Sequence, residues 1–196
     1  MEPRQIVAYS KLFLALLVAV TLFGLLIPTV RISGIAQSVQ ERQVEENIPK
    51  TLPLEVKLKV EKEHKFKDLN NSEWLRDFEL EVSNTSGKPI YFLEFWLELP
   101  DTKSEENRQL AFSLRYGRGD FIHVTTRPIE SDIPIRPGET QTFTIPDDEQ
   151  QGWREDKIRR RLADPRKVRI SFVYLSFGDG SGFQGGGIAY PHEKDQ

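Results

Sequence analysis

The sequence predicts a mainly β fold: an antiparallel sandwich with one short helix, preceded by an N-terminal transmembrane helix. Three observations carry this prediction. Short segments alternate apolar and polar residues with period two, clusters of turn-forming residues separate them, and an uninterrupted apolar run occupies the N-terminal region.

The apolar run comes first. Leu12 to Ile27 reads LFLALLVAVTLFGLLI, without charge and with only Thr21 polar. Extended to Val30 it makes about 28 Å of helix, close to the roughly 30 Å of a bilayer core. Arg4 and Lys11 precede it, and Glu41, Glu45 and Glu46 follow. The positive-inside rule then leaves the N-terminus in the cytoplasm and everything after Val30 outside. The competing reading is a cleaved signal peptide, with Gly34-Ile35-Ala36 as the small-residue site and Gln37 as the mature N-terminus. Residues 1–36 are thus a cytoplasmic tip with an anchor or signal segment. Residues 37–53, polar and broken by Pro49 and Pro53, read as a linker, and residues 54–196 as the β domain.

Within that domain, Leu54, Val56, Leu58 and Val60 alternate with Glu55, Lys57, Lys59 and Glu61, predicting a half-buried strand. Phe78, Leu80 and Val82 repeat the pattern before the turn cluster Asn84–Pro89. Ile90–Leu99 (IYFLEFWLEL) is apolar on both faces in its first half, the mark of a central strand, and places Trp96 in the core. Ala111–Tyr116 and Phe121–Thr125 flank Gly117–Asp120 as a hairpin. Thr140–Ile145 and Val168–Phe177 are further strands, with a last short one at Gly187–Tyr190. Between them, Asp147-Asp148-Glu149 and Arg159-Arg160-Arg161 set the acidic start and basic end of one helix.

Composition excludes several classes of chemistry. The 196 residues contain no cysteine, so disulfides, thiolate metal sites and thiol nucleophiles are absent. Thirty acidic against 27 basic residues give a net charge of −3, which argues against nucleic acid as a partner. No serine nucleophile elbow, P-loop, dinucleotide fingerprint or zinc helix occurs, so neither an enzyme nor a cofactor or metal is expected.

FELEVSNTSGKPIYFLEFWLEL, followed by IPIRPGETQTFTI, resembles the strand–turn–strand and Pro-Gly-strand patterns of immunoglobulin-like β-sandwich modules in exported bacterial proteins. Phe177-Gly178-Asp179-Gly180-Ser181 resembles the FGDG turn of PKD domains, an immunoglobulin-like family. Here, however, it lies near the C-terminus and follows Leu175-Ser176. The resemblance implies adhesion or assembly without catalysis.

Candidate binding residues are Asp179 and Phe183 in the glycine-rich stretch 177–187, the basic residues Arg159, Arg160 and Arg161, and Trp153. Trp74 and Trp153 stand in polar surroundings and could stack on sugars if exposed. Arg154–Arg169 holds eight basic residues against Glu155, Asp156 and Asp164, a face suited to lipid head groups, peptidoglycan acids or an acidic partner. Arg118-Gly119-Asp120 spells an integrin-type tripeptide, which is also ordinary turn chemistry. Asn70 and Asn84 open glycosylation sequons. These readings predict a non-catalytic binding or assembly module of the cell envelope, anchored through residues 12–30 or secreted, with a protein partner. The alternative is a carbohydrate-binding module docking on cell-wall glycan.

Overall fold

The computed structural model describes residues 40–104 and 106–191. The predicted membrane segment, residues 12–30, lies outside the described residues. Among the described residues no helix is long and apolar enough to cross a membrane.

The described residues contain nine strands, two α-helices and one 3-10 turn: β1 (Gln43–Asn47), β2 (Leu54–Leu58), α1 (Val60–Lys67), β3 (Glu79–Asn84), β4 (Phe92–Lys103), β5 (Gln109–Tyr116), a 3-10 turn (Gly119–Ile122), β6 (Thr140–Thr144), α2 (Asp147–Arg160), β7 (Lys167–Ser176), β8 (Gly182–Gln184) and β9 (Ile188–Tyr190). They form a six-stranded sheet, β5-β4-β7-β8-β9 with β1 also on β7, and a three-stranded sheet, β2-β3-β6. All pairings are antiparallel except β1 on β7.

The alternation seen in the sequence decides which side chains meet. Leu80 and Val82 of β3 and Phe143 of β6 are buried in the same core as Leu93, Phe95 and Leu97 of β4 and Ile170 and Phe172 of β7. Phe95 joins the sheets directly, with its ring 5.8 Å from Phe143 and 6.0 Å from Phe172. β4 is central, between β5 and β7, which is why it needs apolar residues through its first half.

Four departures from the sequence reading have identifiable causes. From Gln40 onward, the stretch read as a linker is part of the fold. Glu41 bridges Asp68, Arg42 N–H donates to Lys67 O at 2.5 Å, and β1 runs parallel to β7 from Gln43↔Lys167 to Asn47↔Ser171. Parallel addition is satisfied by backbone bonds, so QVEEN needs no alternation to join. Second, Val60 leaves the strand pattern to open α1 and is 74% exposed. The helix buries Phe66 and carries Glu61 and Glu63 in its first turn, with Lys65 and Lys67 in its last.

Third, Phe121–Thr125 is not a strand. Gly117, at φ 82°, ends β5 with its Cα so close to Tyr91 O that a Cβ would lie 1.9 Å away, and the chain turns into the 3-10 turn that buries Phe121. Fourth, Trp96 is not core. The pleat puts Phe95 and Leu97 inside and leaves Trp96 44% exposed on the outer face of the larger sheet.

The buried polar residue Arg42 fixes the start of the domain. It is 1% exposed, donates from Nε to Pro165 O (2.9 Å) and from Nη1 to Phe66 O, and lies 4.3 Å from the Trp74 ring. Trp74 in turn donates from Nε1 to Asp164 Oδ1 (3.1 Å), and Asp164 pairs with Lys157 of α2. Burial pulls the Arg42 guanidinium down to about 10, opposed by Asp164, Asp101 and Asp68, so it stays charged near neutral pH.

Candidate functional site

Three segments converge at one end of the larger sheet. The register fixes which end: Phe92 pairs with Ser176 and Leu93 with Tyr116, so the turn before β4, the connection after β5 and the turn after β7 lie together. β1 begins opposite Lys167, at the other end of the sheet.

Asn84 builds the first turn. It is 1% exposed, donates from Nδ2 to Lys88 O (2.9 Å) and to Ile135 O (2.8 Å), and accepts from Ser86 N–H (2.9 Å). A buried amide with these partners is a structural keystone, so the Asn84 sequon is closed to modification in the folded chain.

The β5–β6 connection, residues 117–139, is long for a compact domain, where structureless loops beyond about 12–15 residues are uncommon. It is held at both ends and in the middle. Arg118 donates from Nε and Nη2 to both oxygens of Asp132 (2.8 and 3.0 Å) and covers the Phe121 ring. Tyr116 Oη donates to Ile133 O (2.8 Å) and Tyr174 Oη to Ile122 O (2.9 Å). Ile90 and Ile135 form a backbone bridge. Arg118 and Asp120 of the Arg-Gly-Asp tripeptide pair with each other, so both ends of that motif already serve the loop.

Held in this way, the connection displays Ile122 (47% exposed), Val124 (48%), Ile129 (57%) and Ile133 (74%) to solvent. The β7–β8 turn packs beside it. A Cβ on Gly178 (φ 74°) would lie 2.7 Å from Pro128 Cγ and 2.8 Å from Tyr91 Cδ2, so only glycine fits there.

Comparison with protein-family models, curated proteins and solved structures returned no match to this chain. The site therefore rests on its own geometry.

The candidate residues divide between the two ends of β4. Asp179 belongs to the loop end, where Lys88 Nζ donates to Asp179 Oδ2 (2.7 Å) and Ser181 N–H to Oδ1 (2.8 Å). Burial works against the charged form, but the hydrogen bonds from Lys88 and Ser181 outweigh it and hold the carboxyl at about 2. Its folded value lies below the ordinary 3.8, so its contribution to the turn is present above about pH 4 and is lost as pH falls through about 2. An NMR titration of the Asp179 carboxyl should show that low midpoint, and Lys88→Met should return it toward the ordinary aspartate range. An ordinary midpoint in the unmodified chain would mean the Lys88 contact does not form.

Phe183 sits on β8, half-buried, its ring 6.2 Å from Phe177 in an edge-on contact and packed on the core. It is tucked in and not displayed. Trp153 is 6% exposed, wedged edge-on between Trp74 (6.3 Å) and Phe112 (6.2 Å), and Trp74 is fully buried. Neither indole is the exposed platform that their polar neighbours in sequence indicated. The polar residues around them lie on α2 and the loop before β3, while the indoles turn inward.

Arg159, Arg160 and Arg161 close α2 at the far end of β4. Arg159 and Arg160 pair with Asp156, and Arg160 Nη2 reaches Lys103 O. Arg161 is the left-handed C-cap at φ 53° and is exposed. Other cations of the basic segment are also paired: Arg154 with Glu73, Lys157 with Asp164, and Lys167 and Arg169 with Glu45. Among the described residues no three His, Asp or Glu side chains converge as metal ligands would. Sequence reading missed Lys88, the aliphatic set of the β5–β6 connection and the exposure of Trp96. The available signal was the length from Tyr116 to Thr140, too great for a single hairpin.

Proposed function

We propose that this chain is a non-catalytic binding or assembly module of the cell envelope, an immunoglobulin-like sandwich carried by an N-terminal membrane segment, which takes a protein partner at its loop end. One observation carries the reading: four exposed β-branched side chains, Ile122, Val124, Ile129 and Ile133, are presented by a connection pinned at Arg118–Asp132, Tyr116–Ile133 and Tyr174–Ile122. Displaying aliphatics has no folding benefit, and fixing them beforehand lowers the ordering cost of association. The core shared by the two sheets supports the sandwich assignment.

Capture from detergent-solubilised membranes tests this. Ile129→Asp and Ile133→Asp in the full chain should each reduce partner recovery at least about tenfold, the size of an interface hot spot. Stability should change by no more than about 0.5 kcal/mol, as both sites are solvent-facing. Ile158→Asp, on the exposed face of α2 (80% exposed), should capture normally. Equal recovery by all three variants would remove the loop end as the binding surface.

A further inference from the structure

A second surface lies away from the loop end, on the outer face of the larger sheet. Its centre is Trp96, whose in-register neighbours are Ser113 on β5 and Ser171 on β7. Small side chains on both sides leave the indole uncovered, and no described aromatic ring packs on it. The ring is nevertheless held. Glu94 Oε1 accepts from Trp96 Nε1 (3.4 Å), from Ser113 Oγ (2.9 Å) and from Arg115 Nη2 (2.9 Å), and Glu94 itself is 8% exposed.

Trp96 walls a groove of about 660 Å³, within the size range of small-ligand sites. Ala111 and Ser113 line it from the outer face of β5, together with Ser104 and Arg108 of the β4–β5 hairpin and Asp156 and Arg159 of α2. A bare aromatic plane beside small polar residues suits a pyranose ring, which offers a C–H-lined apolar face and a rim of hydroxyls. An apolar peptide anchor would need an aliphatic pocket, whereas Leu110 is the one large aliphatic side chain in this lining. The guanidinium groups add a charge preference. Arg108 and Arg159 pair with Glu106 and Asp156 but have side chains 77% and 70% exposed, and ion pairs that exposed are weak enough to exchange for a ligand carboxylate.

We propose that this groove binds a carboxylate-bearing saccharide, the sugar ring stacked on Trp96 and the carboxylate taken by Arg108 and Arg159. This is independent of the protein-binding loop end.

The test uses the purified full chain in a zwitterionic, sugar-free detergent. Trigalacturonate is titrated by calorimetry up to about 10 mM, the weak end of specific recognition, with maltotriose as the neutral control. Trp74 and Trp153 are buried, so acrylamide quenching reports chiefly on Trp96. Trigalacturonate should bind saturably and protect the emission from quenching, while maltotriose binds at least tenfold more weakly. Trp96→Ala should abolish binding, and Arg159→Ala should weaken it at least fivefold. Ala111→Tyr, a bulky side chain added at an exposed lining position of β5, should also abolish it and guards against a Trp96 variant that misfolds. Three outcomes would overturn the proposal: no saturable binding of trigalacturonate, binding that survives both Trp96→Ala and Ala111→Tyr, or tighter binding of a single-stranded hexanucleotide than of the saccharide.

Discussion

Phe78→Asp is expected to leave the domain unfolded. Phe78 is fully buried immediately before β3, with its ring 5.1 Å from Phe66 of α1. Removing the ring costs about 3–5 kcal/mol, and an unpaired carboxylate in its place costs several more. Together these reach the whole stability of an ordinary domain, about 5–15 kcal/mol. Near-ultraviolet circular dichroism should be lost and no cooperative thermal transition should remain. Phe78→Leu, which keeps most of the volume, should fold with a loss of roughly 1–2 kcal/mol. A cooperative transition near the wild-type temperature in Phe78→Asp would mean the β3 alternation does not face the core.

Arg42→Ala is expected to cost about 3–5 kcal/mol through a different mechanism. The guanidinium serves Pro165 O and Phe66 O and lies over the Trp74 ring, so its removal strands two carbonyls and opens a cavity beside an indole. For a domain of this size Tm should fall by about 8–15 °C. Arg42→Lys keeps the charge but cannot span both carbonyls, and should recover only part of the loss. Because Arg42 ties the start of β1 to α1 and β7, its loss should also raise hydrogen exchange in Gln43–Asn47 before the rest of the sheet. A loss below about 1 kcal/mol in Arg42→Ala would contradict this arrangement.

These two residues mark the limits of what the sequence discloses. Phe78, Leu80 and Val82 were legible because one face of β3 is buried and period two records it. β4 and β7 were legible as long apolar strands, and α2 by the charges at its ends. Arg42 was not, because an arginine among Gln, Glu and Asn reads as solvated unless the aromatic rings and carbonyls that receive it are known to be near. β1 was missed for the same kind of reason: its bonds are backbone bonds to a strand more than a hundred residues away.

At the candidate site, Asp179 was legible as a turn residue, but its partner Lys88 lies 91 residues away in the sequence. Trp96 shows the limit of pattern reading most plainly. A strand apolar on both faces in its first half gives no local sign of where its outer face opens to water. That was decided by Ser113 and Ser171 on the neighbouring strands.

The most direct test of the loop end as the binding surface is site-specific photo-crosslinking in cells producing the full chain. A photoreactive side chain placed at Ile129 or Ile133 should give one discrete adduct of constant mass, and the same group at Ile158, more open to solvent than either but on α2, should give none. No adduct from either loop position, or the same adduct from Ile158, would contradict the account.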